Sequence, residues 1–165
     1  MTVPTPENGD FIDIEWAEAV AEAISTLQAF DAALSAVSTY TPVWGGSGSN
    51  PSLVNGTIAG RYVRFGNWGL VHVSQTMGSS TTYGTGQWTY TLPAGWTAQA
   101  VGLTGWCQML DAGTKRYPGS CYLETTTSVR LVQPVAAGDG GVSSTQPHAW
   151  ASGDSLSWGM IIPLA

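Results

Sequence analysis

The sequence has few charged residues and few of the side chains that usually carry catalysis. Of 165 residues, 5 are Lys or Arg, 11 are Asp or Glu, 2 are His and 2 are Cys. Charged residues make up 10% of the chain, whereas about a quarter is usual in soluble proteins. Because nucleic-acid binders need clustered Lys and Arg, this composition argues against nucleic acid as a partner. No apolar run approaches the ~18 residues of a membrane helix, so we expect no membrane insertion.

The content of apolar and aromatic residues indicates a folded protein. Hydrophobic residues make up 43% of the chain, and eight of them are tryptophan. Disordered chains combine low hydrophobicity with high charge, so this chain is expected to fold. Its length suits one globular domain, or one domain with a stalk. Residues 1–11 lack the basic start and the apolar stretch of a secretory signal, so we expect synthesis in a cytoplasm.

The few charges are divided unevenly along the chain. Residues 1–40 hold seven of the eleven acidic residues and no Lys or Arg, whereas residues 41–165 hold all five basic residues and four acidic ones. Alanine is dense before residue 37, and Gly, Thr and Trp dominate after residue 41. A joint change of charge and composition marks a structural boundary. We therefore predict an extended segment over 1–10, a helical stalk over 11–40 and a β head over 41–165.

The acidic region has the pattern of a long amphipathic helix. Residues 11–37 contain no Pro or Gly, and their apolar positions are spaced alternately by four and three residues. This is the heptad pattern of a coiled coil, which predicts a stalk that oligomerises the chain. The alternative is a helix that lies on the sheet of its own domain. The predicted oligomerisation residues are Trp16, Val20, Ala23, Leu27, Phe30, Leu34 and Val37.

The first ten residues, MTVPTPENGD, contain two prolines and a turn-like Asn8-Gly9 pair. Such a terminus is often frayed. Proline also favours an extended backbone, so the alternative is a peptide that anchors the chain to a partner.

From Thr41 onward the pattern predicts short β-strands separated by glycine-bearing turns. Seven or eight strands in about 120 residues suit an antiparallel β-sandwich or jelly roll. Gly66-Asn67 predicts a tight hairpin, and two glycine-rich stretches, 45–52 and 136–144, are expected to be loops. The predicted strands are Arg61–Phe65, Leu70–Met77, Gln87–Leu92, Ala98–Leu110, Arg116–Leu123, Val129–Val132 and Leu156–Ile162.

Several sequence segments of this β region resemble a module of actinobacteriophage virion proteins of the minor tail, fibre and head-fibre type. They are TPVWGGSGSNPSLVNGTIAG from Thr41, RYVRFGNWGLVHVSQTM from Arg61, GTGQWTYTLPAG from Gly84 and WASGDSLSWGM from Trp150. The resemblance implies a trimeric β-sandwich head behind an N-terminal attachment region. It therefore implies a homotrimer whose N-terminal segment binds other proteins of the capsid or the tail, and a location on the virion surface.

No pattern of catalytic or metal-binding residues is visible in the sequence. His72 is expected in a strand and His148 at a loop, where it is a candidate for ligand contact. Neither histidine has a Cys, Asp or Glu at the usual ligand spacing, and no acidic loop has the density that calcium needs. Nothing selects a pair of carboxylates for glycoside hydrolysis. We therefore predict no enzyme activity, no catalytic residue, no metal and no cofactor.

Cys107 and Cys121 lie at equal distances from Thr114, in a stretch that predicts a hairpin turn. A symmetric hairpin would place the two cysteines opposite each other, so a disulfide is one alternative. A cytosolic origin favours two free thiols, which is the other.

The tryptophans and tyrosines outnumber what one small core holds easily. Trp68 is expected at a hairpin tip, and Tyr83 lies in a glycine-flanked stretch. For both, packing between subunits, ordinary core packing and ligand contact remain open, because exposed aromatic residues mark both interfaces and sugar platforms.

These predictions combine into one functional hypothesis and two alternatives. The leading hypothesis is a non-enzymatic structural component of a bacteriophage virion, a homotrimeric fibre, spike or decoration protein that contacts the host surface, including its glycans. The first alternative is a stand-alone carbohydrate-binding module. The least favoured alternative is a polysaccharide hydrolase with a β-sandwich fold.

Overall fold

A computed structural model describes residues 14–135 and 138–165, without the side chains of residues 33–35, 135, 138 and 139. The chain divides into two compact units, and the division falls between Ala36 and Val37. The predicted anchor peptide, residues 1–10, lies outside the described residues.

The described part of the first unit contains helix α1, Ile14–Ser35. Its sequence is rich in Ala, Glu and Leu, which lose little rotamer freedom in a helix. Glu15 in the first turn complements the positive end of the helix dipole. The helix ends before Val37, so the prediction that Val37 belongs to the helical seam is wrong. Likewise, Ser38–Tyr40 forms a strand rather than the end of the stalk.

The second unit is a single antiparallel sheet, which confirms the mainly β class. In the described residues, the sheet contains ten strands: β1 Ser38–Tyr40, β2 Trp44–Gly46, β3 Thr57–Phe65, β4 Trp68–Thr76, β5 Trp88–Thr91, β6 Thr104–Asp111, β7 Lys115–Thr125, β8 Ser128–Val135, β9 Gly138–Gly141 and β10 Ser155–Pro163. Their order is β1-β3-β4-β10-β6-β7-β8-β5-β2, and β9 pairs with β8.

The sheet curls until its inner surfaces meet around one core. Strands β5 and β10 are four positions apart in the sheet, yet the rings of Tyr90 and Trp158 are 5.7 Å apart across the interior. The Tyr90 hydroxyl donates a 2.8 Å hydrogen bond to the Gln75 side chain on β4. A sheet closed over one core in this way is consistent with the predicted β-sandwich head.

Most predicted strands are present, and the errors concern the glycine-rich stretches and the length of one strand. The Gly66-Asn67 hairpin is confirmed between β3 and β4, where Phe65 pairs with Trp68. The stretch 45–52 is a loop after Gly46, the last residue of β2, as expected. The expectation is wrong for the stretch 136–144, which contains β9, Gly138–Gly141. The predicted strand Ala98–Leu110 is also too long, since β6 begins at Thr104.

Candidate functional site

The most distinctive surface of the second unit is the outer side of the sheet formed by β3, β4, β10, β6 and β7. Burial alternates strictly along β4, so that residues such as Val71 and Val73 are buried and their neighbours are exposed. The same alternation sets the direction of side chains on the paired strands. We call this surface the outer face. Its large exposed apolar residues are Phe65, Trp68, Leu70, Trp106 and Ile161.

Trp106 lies near the middle of the outer face. Its indole packs over Gly159 of β10, where a Cβ atom would lie 3.0 Å from the ring. Glycine at this position therefore lets the ring lie close to the backbone of the sheet. The His72 ring stacks beside it, with ring centroids 5.6 Å apart. Trp106 remains 50% exposed, so the outer side of the ring is open to a ligand.

A polar depression of about 200 Å³ adjoins this aromatic pair on the outer face. Ser74, Ser157 and Gln108 lie in one row across β4, β10 and β6, because Ser157 pairs with both of the others. The guanidinium of Arg116 donates a 2.9 Å hydrogen bond to the Gln108 side chain at one side. The depression therefore offers hydroxyl, amide and guanidinium groups beside an open indole ring. The indole can stack on a face of a sugar ring, and the polar groups can form hydrogen bonds with the sugar's hydroxyl groups.

The three predicted contact residues lie in different environments. Trp68 is on the outer face and is 49% exposed, as expected for a residue next to a hairpin turn. Tyr83 is half-buried and stacks on the core residue Trp88, with ring centroids 6.4 Å apart. His148 is not a surface contact residue: its side chain is 7% exposed and lies against the rings of Tyr117 and Trp150. Contacts within the chain thus hold the rings of Tyr83 and His148, and a role for Trp68 or Tyr83 in subunit packing or ligand contact stays a prediction.

His148 belongs to a cluster of ionisable groups that the sequence did not predict. The described residues contain one group of three potential metal-binding side chains, Asp111, His148 and Asp154, whose donor atoms lie within 4.8 Å of one another. His148 Nε2 is 3.1 Å from Asp154 Oδ2. The separation of Asp111 from the other two along the chain hid this cluster, because only the β6–β10 pairing brings them together.

The same geometry argues against a role for Asp154 in hydrolysis. Asp154 is 2% exposed, and its carboxylate accepts hydrogen bonds from the backbone N–H groups of Ala112 and Ala151, at 2.8 and 2.7 Å. A glycosidase carboxylate must reach the scissile bond of its substrate. Asp154 instead holds the turn after β6 and the segment before β10 together.

The described part of the helical seam is largely open in a single chain. Leu27 is 67% exposed and Phe30 is 62% exposed, while Trp16, Val20 and Ala23 are half-buried. The side chain of Leu34 lies outside the described residues. The coiled coil itself stays a prediction, and so does the alternative that the helix lies on its own sheet. Within the described residues, no helix is both long and apolar enough to cross a membrane.

Cys107 and Cys121 are free, buried thiols in this structure. The hairpin is centred on Gly113 and not on Thr114, because Asp111 pairs with Lys115. Cys107 therefore lies opposite Gly119, and Cys121 lies opposite Gly105. The expectation that a symmetric hairpin places the two cysteines opposite each other is therefore wrong. Burial raises the pKa of each thiol to about 12, which keeps the thiols protonated and unreactive at neutral pH.

Trp106 is the residue of the outer face that sequence reasoning missed. Cys107 and Met109 point into the core, so Trp106 and Gln108 on the same strand must point outward. Gly159 lies between Trp158 and Met160, which are both buried. The alternation of core and surface positions along β6 was therefore the signal that Trp106 points outward. The predicted strand Ala98–Leu110 was too long, however, and the sequence did not show how this strand pairs with β10.

Comparison with known proteins gives a likeness in fold. No protein-family model matches the chain, and no curated protein matches it in sequence. The structure is similar to the crystal structure of the receptor-binding protein (gp15) of Listeria phage PSA, with a TM-score of 0.50 and 21% sequence identity. The match covers 91% of this chain and 79% of that chain. At this identity, the likeness establishes a shared fold.

Proposed function

We propose that this chain is a non-enzymatic structural component of a bacteriophage virion, and that its β head contacts the surface of the host cell. The observation that carries the proposal is the fold likeness over 91% of the chain to a phage receptor-binding protein. The segments of residues 41–165 that resemble phage virion proteins support it independently, because that resemblance lies in the sequence and not in the fold. The chain would be made in the host cytoplasm and displayed on the particle.

We further propose that the chain is a homotrimer joined by α1 and attached to capsid or tail proteins through the N-terminal segment. Leu27 and Phe30 are apolar, follow the heptad spacing and are mostly exposed. Burial of such side chains contributes about 1.5–3 kcal/mol each, which favours association of helices from several copies. Residues 1–40 contain no Lys or Arg, so Glu15, Glu18 and Glu22 of α1 have no cationic side chain of this segment beside them. They are therefore suited to a solvated surface of the helical bundle or to a basic partner.

The oligomer is tested by sedimentation of the full chain, which has a mass of 17.3 kDa. We expect a single species with three times this mass at micromolar concentration. The double variant Leu27→Asp/Phe30→Asp should yield monomers, because two carboxylates would lie in the apolar seam. The matched control is Gln28→Asp, which adds a carboxylate outside the seam and should leave the trimer intact. A wild-type monomer would overturn the proposed trimer.

The outer face is our candidate for the host contact, and a glycan is the ligand class that it suits best. Trp106 offers an open ring beside the hydroxyl and amide groups of the polar depression. Residues 41–165 carry nearly balanced charge, so long-range attraction contributes little to binding. Stacking and hydrogen bonds at this site therefore have to supply the affinity.

Host contact is tested with the fluorescently labelled full chain and a panel of purified bacterial envelopes that includes actinobacteria and Listeria. We expect binding to at least one envelope and a loss of at least tenfold with Trp106→Ala. Thr126→Ala, in the exposed turn between β7 and β8 and away from both Trp106 and the polar depression, is the control and should bind normally. Absence of binding to every envelope contradicts host contact, and normal binding by Trp106→Ala contradicts the assignment of the face.

A stand-alone carbohydrate-binding module is the second candidate, and the open indole of Trp106 favours it. The two functions differ in location. Antibodies against the chain should label intact phage particles if it is a virion protein, and immunogold electron microscopy detects this. Glycan binding without labelling of particles would favour the stand-alone module.

A further inference from the structure

The cluster of Asp111, His148 and Asp154 joins two parts of the second unit at one end of β6 and β10. Asp111 is the last residue of β6, and Asp154 directly precedes β10. His148 lies in the segment between β9 and β10. The three side chains contribute a half-buried carboxylate, a buried imidazole and a buried carboxylate.

We propose that this cluster binds a divalent transition-metal ion of the zinc type through His148 Nε2 and one oxygen each of Asp111 and Asp154. An imidazole with two carboxylates is a donor set that first-row divalent ions accept. Calcium is disfavoured, because it takes six to eight oxygen ligands. The proposal is independent of the function of the outer face.

The distances fit such an ion. Zinc bonds to nitrogen and oxygen are about 2.0–2.2 Å long, so neighbouring ligand atoms lie roughly 3.0–3.5 Å apart. His148 Nε2 and Asp154 Oδ2 are 3.1 Å apart, and the ion would take the place of the proton between them. The donor atoms of the three side chains lie within 4.8 Å of one another. Because the ligand atoms of one zinc ion lie closer together than this, the Asp111 carboxylate has to move inward by roughly 1 Å. Asp111 can make this movement, because it is half-buried and its carboxylate forms no hydrogen bond to the described residues.

The local charge also favours a cation. Two carboxylates lie close together, and no Lys or Arg among the described residues is within ion-pair distance of either. The neighbouring Lys115 directs its ammonium group to the Tyr117 ring, 5.0 Å from the centroid. The backbone N–H groups of Ala112 and Ala151 compensate part of the charge on Asp154, and an ion between the three side chains would neutralise the remaining charge of the two carboxylates.

The surroundings position the histidine but do not complete the site. Tyr117 and Trp150 lie 5.3 and 4.4 Å from the His148 ring, centroid to centroid, and restrict its rotation. His148 Nδ1 is buried and has no hydrogen-bond partner in the described protein. With a metal on Nε2, the ring proton would sit on Nδ1 without a protein acceptor, whereas metal-binding histidines usually donate this proton. We therefore expect an affinity in the micromolar range rather than the tight binding of a structural zinc site.

The test uses the full chain after removal of metals with a chelator. We expect zinc to raise the melting temperature by several degrees, with one ion bound per chain by titration calorimetry. Asp111→Asn should keep the metal-free melting temperature and lose at least tenfold in zinc affinity, because its carboxylate forms no other bond. His72→Gln removes the other histidine, which is exposed, and should retain the full response.

Two results would overturn the proposal. The first is a wild-type chain whose melting temperature does not respond to zinc. The second is an Asp111→Asn variant that binds zinc as the wild type does, which would mean adventitious binding elsewhere. X-ray absorption of the zinc-loaded chain gives a positive structural readout: we expect a first shell of nitrogen and oxygen neighbours at about 2.0–2.2 Å, without sulfur, and the outer-shell scattering of one imidazole ring.

Discussion

The two sides of the sheet in the second unit follow the same strands but contain different chemistry. On the inner side, Trp158, Tyr90 and Met109 are completely buried. On the outer face, Trp106 and Trp68 are each about half exposed. Aromatic residues therefore occur on both sides, and only those on the inner side are enclosed by the curled sheet.

This difference separates residues that fold the head from residues that are free to bind. A buried aromatic side chain contributes its whole surface to the core, whereas an exposed one leaves part of its apolar surface in contact with water. Large contiguous apolar patches on a surface mark interaction sites. The comparison therefore predicts that inner substitutions change stability and that outer substitutions change binding.

The largest expected effect is that of Trp158→Ala on the inner side. Removal of a fully buried tryptophan leaves a cavity, and such changes cost about 3–5 kcal/mol of unfolding free energy. Trp106→Ala is the matched outer variant, and we expect it to cost less than about 1 kcal/mol, because half of the side chain is already exposed. Urea denaturation of both variants measures the difference. Equal losses in the two variants would contradict the separation of roles.

The next effect concerns the polar pair in the core, Tyr90 and Gln75. Tyr90→Phe removes the donor of the 2.8 Å hydrogen bond and leaves the buried Gln75 oxygen without it, at a cost of about 1–3 kcal/mol. The double variant Tyr90→Phe/Gln75→Leu removes both partners and should be less destabilised than the single variant. If the double variant is instead less stable than Tyr90→Phe, the cost of the single substitution does not come from leaving the Gln75 oxygen without its hydrogen bond.

The sequence predicted the inner side of the sheet better than the outer face. The predicted strand Leu156–Ile162 matches β10, and its alternate residues Leu156, Trp158, Met160 and Ile162 are all buried, because burial imposes a period of two on one strand. Strands β2 and β9 were missed, since their glycine-rich sequences carry no such pattern. They form because neighbouring strands provide hydrogen-bond partners, which is information that local propensity does not contain.

The outer face and the ionisable cluster depend on pairing between distant strands. Trp106 meets Gly159 because β6 and β10 pair, although the two residues are more than fifty positions apart. Likewise, Asp111 and Asp154 come together only through this register. A single sequence specifies which residues point outward along each strand, but not which strands become neighbours.

A smaller effect is expected from Gly159→Ala, which alters the outer face through the backbone. The added Cβ would lie 3.0 Å from the Trp106 indole, so the ring has to shift by a few tenths of an ångström. We expect a loss of less than about 1 kcal/mol in stability, together with weaker binding to the envelope that the wild-type chain recognises. Normal binding would show that the position of the ring over Gly159 is unimportant.

The two cysteines of the inner side, Cys107 and Cys121, are expected to have the smallest effect on stability at neutral pH. Their burial is measured instead by the rate at which they react. Burial raises the pKa of each thiol to about 12, and an unfolded thiol has a pKa of about 8.5. At pH 8 the folded chain should therefore react with iodoacetamide at least a hundredfold more slowly than the urea-unfolded chain, because the thiolate is the nucleophile. Intact-mass analysis detects the two added groups.

The same pKa difference predicts how stability changes at high pH. The folded state holds its thiol protons more tightly than the unfolded state. The contribution of the two thiols to the free energy of unfolding is therefore constant below about pH 8.5 and is lost as the pH rises towards 12. Cys107→Ala should make this loss less steep in urea denaturation between pH 8 and pH 10. Rapid labelling of both cysteines in the native chain would contradict their burial. Labelling that requires both urea and a reductant would instead reveal a disulfide.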